Sequence, residues 1–428
     1  GPLVKWDGLP VLLSRLIFDE KRVADREDTV QSEAIGHNGI TDIATQLHAS
    51  ATSFPSVKRP SSWMAMSLIL LYLVAIGPLD YFIVHRLLKR PRLSWVTFPL
   101  MVIAGCATGI WLADSANGQE VQLNQTSVVD VDAGGTNAFR IRSWTSVYSP
   151  EARRAELSAV PSNELIKGFE TDRPTAAPLL WTGIAENVFG GMLRSGGASL
   201  GSVAYEVSDN TVKGLPIPVW STGNLQADWK GTANGNGASA FDVRLTTTSA
   251  GKLKGSVKHN LPFPIKNWIV AHGLVAYYPR DTSNDNVPEL RAGQSWSPQS
   301  PRVRSRDLES YLTGVRIVHV ERKMGEGGDD TKQSKQEYDA LELDAGYCLR
   351  ILSLHEAAGG TRYTGLTNHL LQDMDFSQAI DLNTAVLIGE IDVPAGTVSL
   401  DGTELKATRS RTFVRIMLPV ERSERSRR

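Results

Sequence analysis

The chain has 428 residues, and its 45 basic residues nearly balance its 46 acidic ones, which leaves a formal net charge of −1. This length is enough for two or three domains with their own cores. The balanced charge argues against an overall basic surface of the kind that binds nucleic acid. Two cysteines are too few for a disulfide framework.

Residues 1–61 precede the first apolar stretch and have the pattern of two short helices. Apolar residues recur at helical spacing over 10–25, and a second amphipathic helix is predicted over 40–54, capped by Thr41 or Asp42. The segment is too small to form a domain alone. We therefore expect 1–61 to be the helical tail of a domain that is truncated upstream.

Two long apolar stretches follow, over 63–84 and 95–113, and Asp80 is the one charged residue within them. At about 1.5 Å per residue, each would be about 30 Å long as a helix, which matches the hydrocarbon core of a bilayer. The alternative is a buried helical hairpin in a soluble core, but such helices are rarely apolar on every face. We predict a transmembrane helical hairpin over 62–114.

The loop between the two stretches carries a cluster of basic side chains, Arg86, Lys89, Arg90 and Arg92. Short basic loops stay on the cytoplasmic side of a membrane. We therefore place the loop over 85–94 in the cytoplasm. Both flanks of the hairpin are then extracytoplasmic.

The first apolar stretch also contains a helix-breaking pair and a carboxylate. Gly77 and Pro78 predict a kink, because proline removes one helical hydrogen bond. Asp80 lies about one helical turn from the basic loop. We interpret it as a carboxylate at the inner membrane interface near Arg86, in preference to a proton or ion site.

After the second stretch, short alternating segments separated by Gly- and Asn-rich turns predict strands. Residues 118–300 are expected to form a mainly β, antiparallel, sandwich-like domain. Residues 301–428 predict a mixed α/β extension that ends in a disordered basic tail. The fold class is thus a transmembrane hairpin followed by a mainly β extracytoplasmic domain with a few helices near the C-terminus. We expect the part after the hairpin, 118–428, to fold without it.

The sequence contains almost no motif typical of catalysis or of metal binding. The stretch HEAAG over 355–359 begins like the zinc motif HExxH, but glycine replaces the second histidine. GASLG places Ser199 in a GxSxG pattern, although a strand-like segment follows it, which is the wrong order for a nucleophile elbow. Trp220 and Trp229 fit core or rim positions better than a sugar-binding platform. We predict no catalytic residue, no cofactor and no metal site.

The hairpin motifs resemble those of a known group of proteins. The run GPLDY ends at Tyr81, and a WxTFP run extends from Trp95 to Pro99. Both runs are similar to those of uncharacterised two-span membrane proteins of bacteria, common in planctomycetes. The resemblance implies a multi-pass protein of the bacterial inner membrane that is encoded near MoxR-type ATPases and has an extracytoplasmic domain before the hairpin.

We predict a membrane-anchored extracytoplasmic scaffold or interaction module in cell-envelope assembly or maintenance, without catalysis. The alternative is a cell-envelope hydrolase whose site is not evident in the sequence. The expected partners are the lipid bilayer and other envelope or membrane proteins, and no nucleic acid. The residues expected to carry the anchoring role are Gly77, Pro78, Asp80, Tyr81, Arg86, Lys89, Arg90, Arg92, Trp95 and Pro99.

Overall fold

The computed structural model describes residues 40, 42–54, 62–87, 89, 92, 94–118, 120–134, 138–171, 174–182, 205–232, 240–280, 289–314, 316–320 and 330–422. Some predicted features lie outside these described residues. They are the helix over 10–25, Ser199 in its GASLG motif, Arg90 of the basic loop, and residues 423–428 of the tail.

The helices are short, apart from the two apolar ones. They are α1 (Ile43–Ala51), α2 (Ser62–Val74), α3 (Ser94–Asn117), α4 (Asn163–Gly168), α5 (Leu308–Thr313), α6 (Ala345–Ser353), α7 (Thr361–Thr364) and α8 (Ser377–Asp381). Beyond α2 the chain continues through π-helical turns over Ala75–Leu79 and Phe82–Leu87, and a 3₁₀ turn spans Gln372–Met374.

Strands make up most of the remainder. They are β1 (Gln122–Asp132), β2 (Ala138–Ser149), β3 (Arg153–Pro161), β4 (Thr175–Ala176), β5 (Leu180–Thr182), β6 (Glu206–Val207), β7 (Thr211–Ile217), β8 (Ser221–Thr232), β9 (Phe241–Thr247), β10 (Leu253–His259), β11 (Lys266–His272), β12 (Val275–Pro279), β13 (Ser295–Trp296), β14 (Val303–Asp307), β15 (Arg316–Val320), β16 (Asp330–Ser334), β17 (Thr384–Ile391), β18 (Gly396–Leu400), β19 (Thr403–Leu405) and β20 (Arg409–Arg422). Strands β15 and β16 pair only with each other among the described residues.

One large mixed sheet organises the domain. Its main path is β14-β12-β11-β17-β20-β1-β2-β8-β4, with β5 also on β8, while β9 pairs with β20 and leads to β10 and β13. The C-terminal strand β20 lies parallel to β1, where Asp130 is paired with Arg415, and antiparallel to β17. The first and the last of the described strands therefore lie side by side at the centre of the sheet.

A smaller antiparallel sheet, ordered β19-β18-β3-β7-β6, packs on one face of the large sheet. Their shared core contains Phe139, Ile141 and Trp229 from the large sheet. Leu157 and Leu215 come from the small sheet and are fully buried. Packing of two sheets with interdigitating apolar side chains is the arrangement of a sandwich, and Trp229 occupies its core as the sequence indicates.

Helices cover the opposite face of the large sheet. Because successive side chains of a strand point to opposite faces, Val129 and Val414 enter the core between the sheets. Their neighbours Val128 and Phe413 instead pack with side chains from α1 and α6. The central strands are thus buried on both faces, which gives the domain three layers.

The prediction of a mainly β protein with few helices is confirmed, but the sheet is mixed rather than antiparallel throughout. The reason is the long return of the chain, which places β20 parallel to both β1 and β9. The same strand joins the predicted segments 118–300 and 301–428 in one sheet. No break in the large sheet coincides with the predicted boundary near residue 300.

The helix before the hairpin is also part of this domain. Ile43 and Leu47 are fully buried and share a core cluster with Leu349, Leu352 and Phe413. The sequence assigns residues 1–61 to an upstream domain, whereas 42–54 pack against strands and helices that follow the hairpin. A chain that begins at 118 would lack this part of its core, so we expect it to be less stable than a chain that keeps 42–54.

Ion pairs tie the loop before α8 to the large sheet. Arg142 is nearly buried and donates to Asp373 at 2.9 Å, and Arg140 donates to Asp373 at 2.9 Å and to Asp228 at 3.0 Å. Partial burial alone would raise the pKa of the Asp373 carboxyl, but the hydrogen bonds and charges of Arg142 and Arg140 outweigh it and lower that pKa. Asp373 is therefore ionised at neutral pH and holds its loop against β2.

Candidate membrane-anchoring hairpin

The two apolar helices present their side chains to the outside of the protein. Trp63 and Trp95, at the start of each helix, are 80% and 87% exposed. Other large apolar side chains of the pair that are exposed are Met66, Ile69, Leu70, Leu71, Leu73, Val74, Leu79, Tyr81, Phe82, Val96, Phe98, Leu100, Ile103, Ile110 and Trp111. Monomeric soluble proteins rarely expose a contiguous apolar surface of this extent.

Both helices are long and apolar enough to cross a membrane, judged by length and composition. Met66–Arg86 has 21 residues with a mean hydropathy of 2.0, and Trp95–Leu112 has 18 residues with a mean hydropathy of 1.7. At about 1.5 Å per residue they span about 27 to 32 Å. A core helix of a soluble protein can pass the same test, but such a helix is mostly buried, and these two are not.

The pair Gly77 and Pro78, at which the sequence predicts a kink, lies in a π-helical turn. Gly77 and Pro78 fall within Ala75–Leu79, where the hydrogen-bond ladder widens around the proline that cannot donate. The next residue after this turn is Asp80, which is nearly buried and accepts a 2.6 Å hydrogen bond from the hydroxyl of Thr97. The carboxylate predicted to lie near Arg86 thus links the two helices.

A second contact extends the same antiparallel register. A Cβ added to Gly105 would lie 2.5 Å from Cε2 of Tyr72, so the tyrosine ring lies directly on the glycine. Tyr72 is eight residues before Asp80, and Gly105 is eight residues after Thr97, so both pairs belong to one helix–helix interface. Small residues allow this close approach of membrane helices.

The tip of the hairpin is polar and exposed. The side chains of Arg86, Lys89 and Arg92 are all exposed, and Lys89 has a positive φ of 52° where the chain turns. Tyr81 stacks on His85 with ring centroids 4.5 Å apart. The described part of the predicted basic cluster therefore lies at one end of the apolar pair.

The last two predicted residues lie on α3. Trp95 lies in its first turn, close to the polar tip, and Pro99 is exposed inside the same helix. A tryptophan beside a basic loop is the arrangement found at membrane–water interfaces. The structure thus collects the described members of the predicted motif in a single hairpin.

Both ends of the hairpin attach to the domain at one place. The ring of Phe54, just before the hairpin, lies 5.7 Å from the ring of Tyr148 on β2. The side-chain amide of Asn124, at the start of β1, donates to the carbonyl oxygens of Ala51 at 3.2 Å and Ser53 at 2.9 Å. The chain therefore leaves the domain and returns to it at the same point.

Helix α1 fixes this attachment point on the domain. Asp42 is its N-cap, as predicted, and accepts from the backbone N–H of Ala44 at 2.6 Å. The same carboxylate accepts from the N–H of His369 at 3.0 Å, while the N–H of Ile43 donates to the carbonyl of Thr367 at 3.1 Å. Asp42 thus both caps α1 and docks this helix against the segment that contains Thr367 and His369.

We expect the docking of α1 to weaken as the pH falls from about 6.5 to about 4. Burial lowers the pKa of His48 to about 4, against a smaller opposing effect of Asp42. Because the folded-state pKa is depressed, protonation favours the unfolded chain, so this stabilisation is complete above pH 6.5 and disappears toward pH 4. His48→Gln should flatten the pH dependence of the unfolding free energy over this range, measured by urea denaturation. An unchanged slope would contradict a His48 imidazole that stays neutral in the folded chain.

Tyr72, Gly105 and Asn124 were not predicted as site residues, and Thr97 was noted only as part of the WxTFP run. A small-residue signal was present, since Gly105 and Gly109 are four residues apart in an apolar segment. Thr97 could have been noted as a hydroxyl that satisfies a carboxylate between membrane helices. The sequence gives no indication of the role of Asn124, because its partners Ala51 and Ser53 precede the hairpin and Asn124 follows it.

Comparisons with known proteins do not assign the chain to a family. No protein-family profile and no curated protein matches it. The Mu homology domain of Fcho1 from Danio rerio, solved with an Eps15 peptide, is similar at 8% identity and a TM-score of 0.25, covering 72% of this chain and 98% of that one. An M1 zinc metallopeptidase from Deinococcus radiodurans is similar at 10% identity and a TM-score of 0.17, covering 55% and 53%. Similarity at this level supports no argument about fold or function.

Proposed function

We propose that the protein is a membrane-anchored extracytoplasmic scaffold or interaction module of the bacterial cell envelope. The observation that carries this proposal is the exposed apolar hairpin, which leaves and rejoins one folded domain at a single point. A hairpin with both ends on the same domain crosses a bilayer an even number of times. The domain then remains entirely on one side.

The basic tip supports an orientation with the domain outside the cytoplasm. Arg86, Lys89 and Arg92 are exposed at the tip of the hairpin, midway in sequence between its two connections to the domain. Short basic loops of this kind are retained in the cytoplasm. Each basic residue near an anionic leaflet adds about 1 kcal/mol of attraction. The hairpin thus provides both the anchor and the signal for its direction.

Two buried histidines, His259 and His272, have surroundings typical of packing residues. His259 bonds through Nε2 to the carbonyl of Leu290 at 2.9 Å, and His272 to the side chain of Asn383 at 3.2 Å. Burial lowers the pKa of both imidazoles. These two histidines are therefore neutral packing residues rather than bases poised beside a nucleophile.

The domain also offers an exposed apolar area for a protein partner. Leu180 on β5 is 53% exposed and Val207 on β6 is 44% exposed. The two strands are neighbours, since the N–H of Leu179 donates to the carbonyl of Ser208 at 3.2 Å. Tyr205 adds an aromatic ring that contacts Trp181. Aromatic and aliphatic residues together are typical of the centre of an interaction surface.

Crosslinking in native bacterial membranes tests the scaffold. The wild-type chain should capture a reproducible set of envelope proteins, and Leu180→Glu should lose that set because a charge now occupies the apolar area. Leu274→Glu is the matched control, since Leu274 is 78% exposed in the turn between β11 and β12, away from β5 and β6 in the strand order. Capture that is the same for both variants, or the same as for an unrelated hairpin-anchored protein, would contradict the proposal.

The hydrolase alternative has its own test. A fluorophosphonate probe reacts with an activated serine, and Ser199 is the candidate that the sequence offers. Under the scaffold proposal the folded wild-type chain and Ser199→Ala should be labelled equally weakly. Strong labelling that disappears in Ser199→Ala would establish the hydrolase in place of the scaffold.

A further inference from the structure

A cluster of one histidine and two carboxylates lies beyond the end of α6, away from the hairpin. His355 is buried, Glu356 is exposed, and Asp375 comes from the loop before α8. One potential ligand atom from each of the three residues lies within 4.8 Å of the other two. The HExxH-like motif ends in glycine and therefore predicts no zinc site here, but the third side chain of the cluster comes from a residue 20 positions after His355.

The backbone around the cluster is held in place by its own hydrogen bonds. The N–H of Glu356 donates to Oδ2 of Asp375 at 3.1 Å, and the N–H of Gly360 donates to the carbonyl of His355 at 2.8 Å. The other oxygen of Asp375 accepts from the N–H and hydroxyl of Ser377 at 2.9 and 2.6 Å. The backbone of His355 and the carboxylate of Asp375 are thus fixed, and the exposed Glu356 side chain can adjust.

The hydrogen bonds of Thr364 favour one tautomer of His355. The Thr364 hydroxyl lies 3.2 Å from the carbonyl of Gly360 and 3.1 Å from that of Leu366, and its oxygen accepts from the N–H of Leu366 at 3.1 Å. Nε2 of His355 lies 3.3 Å from the same oxygen. When the hydroxyl donates to one of the two carbonyls, its oxygen accepts from Nε2, which is then the protonated nitrogen of the neutral ring.

The remaining nitrogen of His355 faces negative charge. Nδ1 then carries a lone pair, and it lies 3.9 Å from Oε1 of Glu356, which is outside hydrogen-bond range. The Asp375 carboxylate lies in the same cluster. A lone pair of a buried ring that faces two carboxylates is unfavourable unless a positive charge lies between them.

We propose that His355 Nδ1, Glu356 and Asp375 form a binding site for a first-row divalent cation, with Zn²⁺ as the best fit. A neutral imidazole nitrogen and carboxylate oxygens are ligands that Zn²⁺ accepts at about 2.0 to 2.2 Å, and three protein ligands leave a fourth position for water. A modest inward movement of Glu356 brings its oxygen within bonding range. The site is independent of the membrane-anchoring function.

The Nε2–H bond to Thr364 supports this assignment. A metal-binding histidine commonly donates its other ring N–H to a fixed acceptor, which sets the tautomer and the direction of the lone pair. Here the acceptor is the Thr364 hydroxyl, itself held by two backbone carbonyls. The competing explanation is a proton on Nδ1, which would make the cluster an ion pair without a metal.

Zinc titration of the full chain in detergent, after removal of metals with a chelator, tests the proposal. Calorimetry should show one Zn²⁺ bound to the wild type, and Zn²⁺ should raise the melting temperature, because binding to the folded state alone stabilises it. Glu356→Gln should weaken the affinity by at least about tenfold, since even supporting residues of metal sites contribute about 10- to 100-fold. Glu356 is exposed, so this change should leave the fold intact.

Glu404→Gln is the matched control, because Glu404 is exposed on β19 and lies outside the cluster. It should bind Zn²⁺ and gain thermal stability as the wild type does. A wild type that does not bind Zn²⁺, or a Glu356→Gln variant that binds it as tightly as the wild type, would overturn the proposal. The first result would establish an ion pair only, and the second would place the metal at other residues.

Discussion

Replacement of Arg415 by methionine is expected to lower the free energy of unfolding of the full chain by about 3–5 kcal/mol. The Arg415 side chain is only 1% exposed and holds Asp130 through two hydrogen bonds of 2.6 and 2.8 Å. Methionine fills a similar volume but leaves the Asp130 carboxylate without its partner. An uncompensated buried charge is the costly outcome when one member of such a pair is removed.

The same guanidinium also contacts α6 and the segment before α8. It donates to the hydroxyl of Ser353 at 3.1 Å and to the carbonyl of Met374 at 2.5 Å. It also lies over the ring of Phe376, 4.3 Å from the centroid. Loss of Arg415 should therefore loosen α6 and the loop before α8 along with the contact between β20 and β1.

Urea denaturation of the detergent-solubilised chain measures this effect. Arg244→Met is the control, because Arg244 forms an exposed pair with Asp242 and exposed pairs contribute about 0–1 kcal/mol. Similar midpoints for Arg415→Met and Arg244→Met would show that the pair of Arg415 and Asp130 does not organise the core.

Replacement of residues 55–119 by a flexible linker of about six residues should convert the protein from membrane-bound to water-soluble. Six extended residues reach about 20 Å. This is enough to join residues 54 and 120, because Asn124 hydrogen-bonds directly to Ala51 and Ser53. The wild type should remain in the membrane pellet after alkaline carbonate extraction. The linker variant should appear in the supernatant and unfold cooperatively.

A chain that begins at residue 118 is the variant to compare with the linker variant. It also lacks the hairpin, but it loses α1, whose Ile43 and Leu47 are fully buried in the core beneath α6. We expect it to aggregate or to melt well below the linker variant. Equal stability of the two soluble chains would contradict the assignment of α1 to this domain, and a linker variant that stays in the pellet would contradict the hairpin as the anchor.

Local features of the fold followed from the sequence because their causes are local. Asp42 begins α1 as predicted, since an N-cap depends on a few neighbouring residues. Strand β2 covers Ala138–Ser149, where the alternating pattern predicts it. Helix α6 begins directly after Asp344, whose side chain accepts from the N–H groups of Gly346 and Tyr347, which is again a local cause.

The long-range features could not be read in the same way. The pairing of β1 with β20 joins Asp130 to Arg415 across 285 positions of sequence, and neither side chain reveals its partner in the local pattern. The same is true of Asp375 beside His355 and of Thr97 beside Asp80. In each case the polar residue acquires its role only through the partner that the tertiary fold brings beside it.

The accessibility of two introduced cysteines to a membrane-impermeant maleimide tests the central claim most directly. In a Cys106→Ala background, where the remaining Cys348 is buried, Ser94→Cys reports on the hairpin tip and Ser249→Cys on an exposed turn of the domain. A hairpin that crosses the membrane with the domain outside predicts labelling at 249 in intact spheroplasts and at 94 only after lysis. Labelling of both positions from the same side would show that the hairpin does not cross, and labelling at 94 alone would show that the domain lies in the cytoplasm.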